Sequence, residues 1–230
     1  PPGPPLRLVG AGGASGAAEV AAVLELELEG AVGGSRAFSG RLTLRERELL
    51  CVMGPSGIGK STLLKWVCDL APAARSSMAL RGQGCDAVTA QAWRRAVLYV
   101  HQSKAPLPGA PSDLVRAVGG FKANRGRAAI DPARHMRALG LDAELLERPW
   151  RELSGGEAQR AMFAIALATS PACLLLDEPT SALDDASKAL VEAALRSQGV
   201  AALIVTHDEA QANRLGASVL RVAPAAGAAA

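Results

Sequence analysis

Gly54-Pro55-Ser56-Gly57-Ile58-Gly59-Lys60-Ser61 fits G-x-x-x-x-G-K-[ST]. Glycines at that spacing let the backbone curl until successive N–H groups face one anion. A helix starting at the loop's end adds its positive dipole end to the same anion. Lys60 supplies a mobile point charge for β- and γ-phosphates. The Ser61 hydroxyl suits Mg²⁺, and Thr62 can donate to an α-phosphate oxygen. A second constellation lies far downstream. Cys173-Leu174-Leu175-Leu176 is an apolar run that ends in Asp177-Glu178-Pro179. In phosphoryl transfer one acid at such a strand end holds the metal and its neighbour polarises a water. Asp177 suits the first role and Glu178 the second.

A third piece is the octet Leu153-Ser154-Gly155-Gly156-Glu157-Ala158-Gln159-Arg160. Ser154 is an N-cap candidate, and two glycines after it give close backbone access. This is a second anion-binding helix start in a chain that already has one. Two such starts with one metal site allow a nucleotide to be closed between two copies of the chain.

These motifs need elements to hold them. Val23 to Glu29 alternates strictly, which predicts a half-buried strand with an acidic outer face. Leu42 to Leu44 begins a second strand. Leu49 to Met53, Ala96 to Val100, Cys173 to Leu176 and Ala201 to Val205 are continuous apolar runs, as expected of strands buried on both faces of a parallel sheet. Val219 to Val222 is the last strand. Helices are predicted over Ser61 to Leu70, Ser112 to Ala117, Asp131 to Gly140, Glu157 to Thr169, Ala186 to Arg196 and Glu209 to Leu215, with Leu141 to Leu146 a further candidate. Alternation of strands and helices implies an α/β core with a mainly parallel sheet. Residues 103 to about 152 carry no strand signal and read as a helical insertion.

The whole chain has 230 residues, of which 49% are apolar, 20% charged and 3% aromatic. That composition fits one packed domain with an aliphatic core. Net charge is +3, too mild for a nucleic-acid binder, which shows a concentrated basic patch. Cys51, Cys68, Cys85 and Cys173 have neither CxxC spacing nor a neighbouring His, so neither a zinc site nor a disulfide framework is indicated. No run of about 18 uncharged apolar residues is present. The N-terminal PPGPP lacks the pattern of a secretory signal. Residues 1–19 and 223–230 are rich in Pro, Gly, Ala and Ser and are expected to be poorly ordered.

The octet, taken with the other two motifs, resembles the ATP-binding-cassette (ABC) ATPases, the nucleotide-binding subunits of ABC transporters. The resemblance covers residues 20 to 222. It implies a P-loop NTPase core with an antiparallel β subdomain and a helical insertion over about 103–160. Tyr99-Val100-His101-Gln102 resembles the Q-loop, where Gln102 would meet Mg²⁺ and the attacking water. Ser181-Ala182-Leu183-Asp184 matches the D-loop and places Asp184 at the nucleotide. Val205-Thr206-His207-Asp208 matches the switch histidine, with His207 on the γ-phosphate. His101 and His135 have no such context and read as structural. The family pattern implies a head-to-tail dimer with ATP and Mg²⁺ between Gly54 to Thr62 of one copy and Ser154, Gly155 and Gly156 of the other. It further implies a separate membrane permease and a cytoplasmic location on the inner face of the cell membrane.

The sequence departs from the family where an aromatic residue normally stacks on adenine: Glu29 to Ala37 contains none, and Phe38 reads as a core residue. No regulatory domain is expected in the short stretch after Val222, an expectation that disfavours maltose-type importers. Trp93-Arg94-Arg95, before the Q-loop strand, and Ser181 to Asp185 (SALDD) resemble small bacterial ATPases of metal export. Small importer subunits for phosphate, metals or amino acids share nearly every motif, so the resemblance leaves the direction of transport open. The alternative is a soluble ABC ATPase acting on nucleic acid or ribosomes. Chromosome-maintenance relatives need long coiled coils, and no heptads lie between Gln102 and Leu153.

Overall fold

The computed structural model describes residues 6–9, 20–32, 36–70, 76–101 and 107–224. Its N-terminal half begins with strands β1 (Leu6–Val9), β2 (Ala22–Val32), β3 (Arg36–Arg45) and β4 (Leu49–Met53). Helix α1 (Lys60–Val67), strands β5 (Ser76–Leu80) and β6 (Gln83–Gly84), helix α2 (Ala90–Ala96) and strand β7 (Val97–Val100) follow. Helices α3 (Pro111–Gly119), α4 (Ala133–Ala138) and α5 (Gly155–Ala168) come next, joined by 3₁₀ turns. The chain closes with β8 (Cys173–Asp177), α6 (Asp185–Gln198), β9 (Ala201–Val205), α7 (Glu209–Leu215) and β10 (Ser218–Pro224).

The ten strands of the described residues form one sheet in the order β6-β5-β2-β3-β1-β10-β4-β9-β8-β7. The β10-β4-β9-β8-β7 half is parallel throughout. Its central strands are buried along their whole length and supply residues to both faces. Leu50 and Val52 join one core while Leu49, Cys51 and Met53 join the other; Leu175 and Leu176 divide in the same way. Continuous apolar runs are the sequence form of that two-sided burial. In the antiparallel half, Leu24, Leu26 and Leu28 of β2 face inward while Glu25 and Glu27 stay exposed, and β3 pairs with β2 in antiparallel register. Between β7 and β8, residues 107–172 contain helices and 3₁₀ turns but no strand.

Several elements differ from their sequence expectation. Leu6–Val9 lies in the segment expected to be loose, yet it forms β1 between β3 and β10. Its alternating burial, with Leu6 and Leu8 inside, is the signal, too short at four residues to stand out. β10 extends to Pro224, past the expected end, because it pairs with β1 down to Leu6↔Pro224. Ser61 to Leu70 as a helix is cut back to Lys60–Val67, since Asp69 takes a left-handed conformation with φ 59°. Leu141 to Leu146 yields only a 3₁₀ turn at Ala143–Leu146. Strands β5 and β6 and helix α2 had no counterpart in the sequence reading. α2 is fixed by Thr89 at its N-cap and by Trp93, whose buried Nε1 donates to the Val67 carbonyl at 2.9 Å. The core is mostly aliphatic, but Trp66, Trp93 and Phe38 are its bulkiest fully buried members.

The last two helices are tied by a buried acid. Glu192 of α6 accepts from Arg214 Nε and Nη2 of α7, both at 2.9 Å, and from Gln211 Nε2 at 3.3 Å. The Arg214 guanidinium holds the Glu192 carboxyl below the usual carboxylate range. A depressed carboxylate adds stability that is complete above its unfolded value and is lost as pH falls through its folded value. Glu192→Gln is therefore expected to cost about 1.5–3 kcal/mol near neutrality, the range for hydrogen bonds to a charged group. Denaturant midpoints of the two proteins at pH 7 and pH 3 test this: the gap should narrow in acid, and an equal gap at both values would contradict it.

Candidate functional site

The phosphate loop leaves the buried end of β4 and closes on α1. Gly54 is required by close approach: a Cβ there would lie 2.6 Å from the Val222 carbonyl oxygen. Gly59 has φ 108°, a conformation that disfavours side chains, and a Cβ on it would lie 3.1 Å from the Phe38 ring. Phe38 therefore supports the loop from below as a core residue, as its sequence context suggests. Ile58 anchors the loop in the same core, while Pro55, Ser56 and Gly57 are exposed. Gly59 is the α1 N-cap. No side chain caps that end and no acid sits in its first turn, so its amides and dipole are open to an anion.

Lys60 is buried, and its Nζ donates to the carbonyls of Gly54 at 2.8 Å and Pro55 at 2.9 Å. Burial lowers its ammonium below the ordinary lysine range, against the pull of the Glu178 and Asp177 charges. Ser61 and Thr62 occupy the first turn of α1. The Ser61 hydroxyl donates to Asp177 Oδ1 at 3.0 Å, so two residues 116 positions apart meet at one point. Among the described residues no three His, Cys, Asp or Glu side chains converge on a metal position. A hydroxyl beside one carboxylate, with phosphate and water completing the shell, is a donor set that Mg²⁺ takes. The residues present therefore fit Mg²⁺ and a polyphosphate.

Glu178 follows the end of β8 with φ 47°, a left-handed conformation uncommon for a residue with a side chain and costing on the order of 1 kcal/mol. Its N–H donates to the Val205 carbonyl at 3.1 Å, which ties the turn to the end of β9. His207 stands just past that strand, with Nε2 3.0 Å from Glu178 Oε1. The Thr206 hydroxyl accepts from the Asp208 amide at 3.1 Å, and Asp208 caps α7, so the residues on both sides of His207 are held.

The octet splits into distinct tasks. Ser154 and Glu157 form a capping box on α5, with Ser154 Oγ accepting from the Glu157 amide at 3.2 Å and Glu157 Oε2 from the Ser154 amide at 2.8 Å. Ser154 and Gly155 are exposed, and a Cβ on Gly155 would meet only open space. Gln159 Nε2 donates to the Pro179 carbonyl at 2.8 Å, which hooks α5 to the turn beyond Glu178. Arg160 donates to the carbonyls of Leu139 and Gly156.

Lys60, Ser61, Asp177, Glu178 and His207 thus gather at the carboxyl ends of the parallel strands. Ser154, Gly155 and Gly156 do not join them: no hydrogen bond among the described residues links them to the phosphate loop. Asp184 caps α6, with Oδ1 accepting from the Ser187 amide and Oδ2 from its hydroxyl, both at 2.9 Å. Within one chain, those two contacts to Ser187 hold the Asp184 carboxylate. Gln102 lies outside the described residues. Tyr99 was missed as a site residue. Its hydroxyl donates to Asp177 Oδ2 at 2.9 Å, and burial, then the Asp177 carboxylate, push it well above the ordinary tyrosine range. Its position three residues before Gln102, at the end of an apolar run, was the available signal.

A family model described as ABC transporter matches residues 39–181. The Fe(3+) ions import ATP-binding protein FbpC 2 of Pectobacterium atrosepticum is 34% identical over 193 residues, covering 77% of this chain and 55% of that protein. The chain thus spans about half the length of that relative. The aliphatic sulfonates import ATP-binding protein SsuB 2 of Burkholderia cenocepacia is 35% identical over 210 residues, covering 88% of this chain and 74% of that protein. The solved structure of cbiO1 from Clostridium perfringens, part of the ABC transporter complex cbiONQ, superposes with a TM-score of 0.70 at 20% identity. That match covers 88% of this chain and 87% of the other, and at such identity it speaks for the fold alone. Both sequence relatives are named for import, the direction that the sequence motifs alone left open. No described helix is long and apolar enough to cross a membrane.

Proposed function

Because the chain belongs to the ABC transporter family of ATP-binding domains, we propose that it hydrolyses MgATP to drive import through a separate membrane permease. The observation that carries this reading is the meeting of Ser61 with Asp177 beside the Glu178–His207 contact, at the mouth of an uncapped helix start. Lys60 and the main-chain N–H groups of Gly57, Gly59, Lys60, Ser61 and Thr62 hold the phosphates. Ser61 and Asp177 hold Mg²⁺, with Gln102 as a further ligand, and bound Mg²⁺ neutralises charge on the transferring phosphoryl group. Glu178 accepts the proton of the attacking water. His207 keeps the Glu178 carboxylate turned toward that water.

The exposed start of α5 does not serve its own loop. We assign Ser154, Gly155 and Gly156 to the phosphates held by a second copy, with Asp184 carried at the same dimer face. Nucleotide then closes two chains on each other and hydrolysis releases them, a ligand-driven two-state switch. The permease would dock at an apolar groove of about 480 Å³ lined by Leu98, Val100, Leu107, Leu114 and Met162, holding the chain against the inner face of the membrane. The imported solute is of the small-molecule or metal-ion class that the relatives' names span. The test is phosphate release from MgATP by the purified chain at several protein concentrations. The rate per chain should rise with concentration, as a dimeric active form requires; no hydrolysis, or a rate per chain independent of concentration, would refute the sandwich mechanism.

A further inference from the structure

Asp177 is nearly sealed from solvent at 3% exposure, and both of its oxygens are taken. Ser61 of α1 donates to Oδ1 at 3.0 Å and Tyr99 of β7 donates to Oδ2 at 2.9 Å. The two donors come from different elements on different sides of the carboxylate. β7 pairs with β8 in parallel register, Tyr99 opposite Leu175 and Val100 opposite Leu176, so the tyrosine stands two residues back from the acid and reaches forward to it. The ring is steadied at its other side by an edge contact with His101, centroids 5.8 Å apart. An aspartate held by one hydrogen bond can rotate about its last torsion, whose preference is broad. Held at both oxygens it cannot, and Oδ1 stays aimed at Ser61 and the phosphate loop.

We propose that Tyr99 is a positioning residue for Mg²⁺: it locks the Asp177 carboxylate in the orientation that receives the metal, without touching metal or nucleotide itself. This rests on the assignment of Ser61 and Asp177 to Mg²⁺ above. Groups that orient a metal's ligands typically govern metal affinity or activity by about 10–100-fold. Tyr99 therefore sets how tightly the site takes Mg²⁺, while the glycine loop and Lys60 set how tightly it takes phosphate.

Tyr99→Phe removes the hydroxyl and keeps the ring. Calorimetric titration of Mg²⁺ into the chain bound to a non-hydrolysable ATP analogue should show metal affinity about tenfold weaker. Affinity for the same analogue in EDTA should be unchanged. Unchanged metal affinity, or equal losses with and without metal, would overturn the proposal in favour of a packing role. Asp177→Asn, run alongside, separates the two levels. If it too leaves metal affinity intact, the metal site itself is misassigned; if it alone weakens the metal, only the role of Tyr99 fails. A second readout needs no substitution. Tyr99 is the only tyrosine in the sequence, so 3-fluorotyrosine labels that position alone. Its ¹⁹F resonance should move when Mg²⁺ joins the bound analogue, and a resonance that does not move counts against the proposal.

Discussion

Glu178→Gln is expected to keep nucleotide affinity and lose hydrolysis by about 10²–10⁴-fold, the range that a positioned general base contributes. The substitution is nearly isosteric. The backbone turn is held by the Glu178 N–H on Val205 and by Gln159 on Pro179, both main-chain attachments that the side-chain change leaves alone. The contact with His207 also survives, because an amide oxygen still accepts from Nε2. What is lost is the capacity to take a proton from water. Chemistry therefore stops while the closed state remains, and ATP is trapped in it. Gel filtration with MgATP should show the variant as a stable dimer, with the wild type passing back to the monomer as it turns over. A variant that stays monomeric with ATP bound would refute closure between two copies. One that hydrolyses at the wild-type rate would move the base elsewhere.

What could be read from the sequence was what spacing encodes. The loop from Gly54 to Ser61 is a contiguous pattern, and so are the capping box at Ser154 and Glu157 and the five-residue runs of β4, β8 and β9. Each is dictated by neighbours along the chain. The contacts that make these pieces a site are not local. Ser61 meets Asp177, and Glu178 meets His207, only because β8 lies beside β9 and α1 packs over both. The family resemblance supplied those pairings; periodicity could not. Tyr99 shows the limit most clearly. Its hydroxyl finds Asp177 through the β7–β8 register, and register between strands separated by a helical insertion leaves no trace in the spacing of either. Asp184 is legible only in part: its cap on α6 is local, both carboxylate oxygens accepting from Ser187, whereas a role between two copies leaves no trace in the contacts of one chain.

Lys60→Ala carries the other large effect. Truncating one partner of a buried charge contact costs roughly 2–5 kcal/mol, and each 1.4 kcal/mol is about tenfold, so nucleotide affinity should fall by roughly 30-fold to several thousand-fold. The same side chain also braces its own loop through the Gly54 and Pro55 carbonyls, which raises the question of whether the variant fails by unfolding. The balance of forces says it does not. Pro55 is exposed and Gly54 half-buried, so both carbonyls can turn to water. Burial already lowers the Lys60 ammonium, so the charge is held there at a cost that truncation relieves. The loop's shape is fixed independently by Gly54 against Val222, Gly59 over Phe38 and Ile58 in the core. Thermal melting of the free protein should therefore shift by only a few degrees, while titration with a fluorescent ATP analogue shows weak or no binding. Affinity equal to wild type would remove the phosphate loop from the mechanism. A collapse of the melting temperature would instead make Lys60 a structural brace, and the charge it carries would no longer explain why a triphosphate settles at the start of α1.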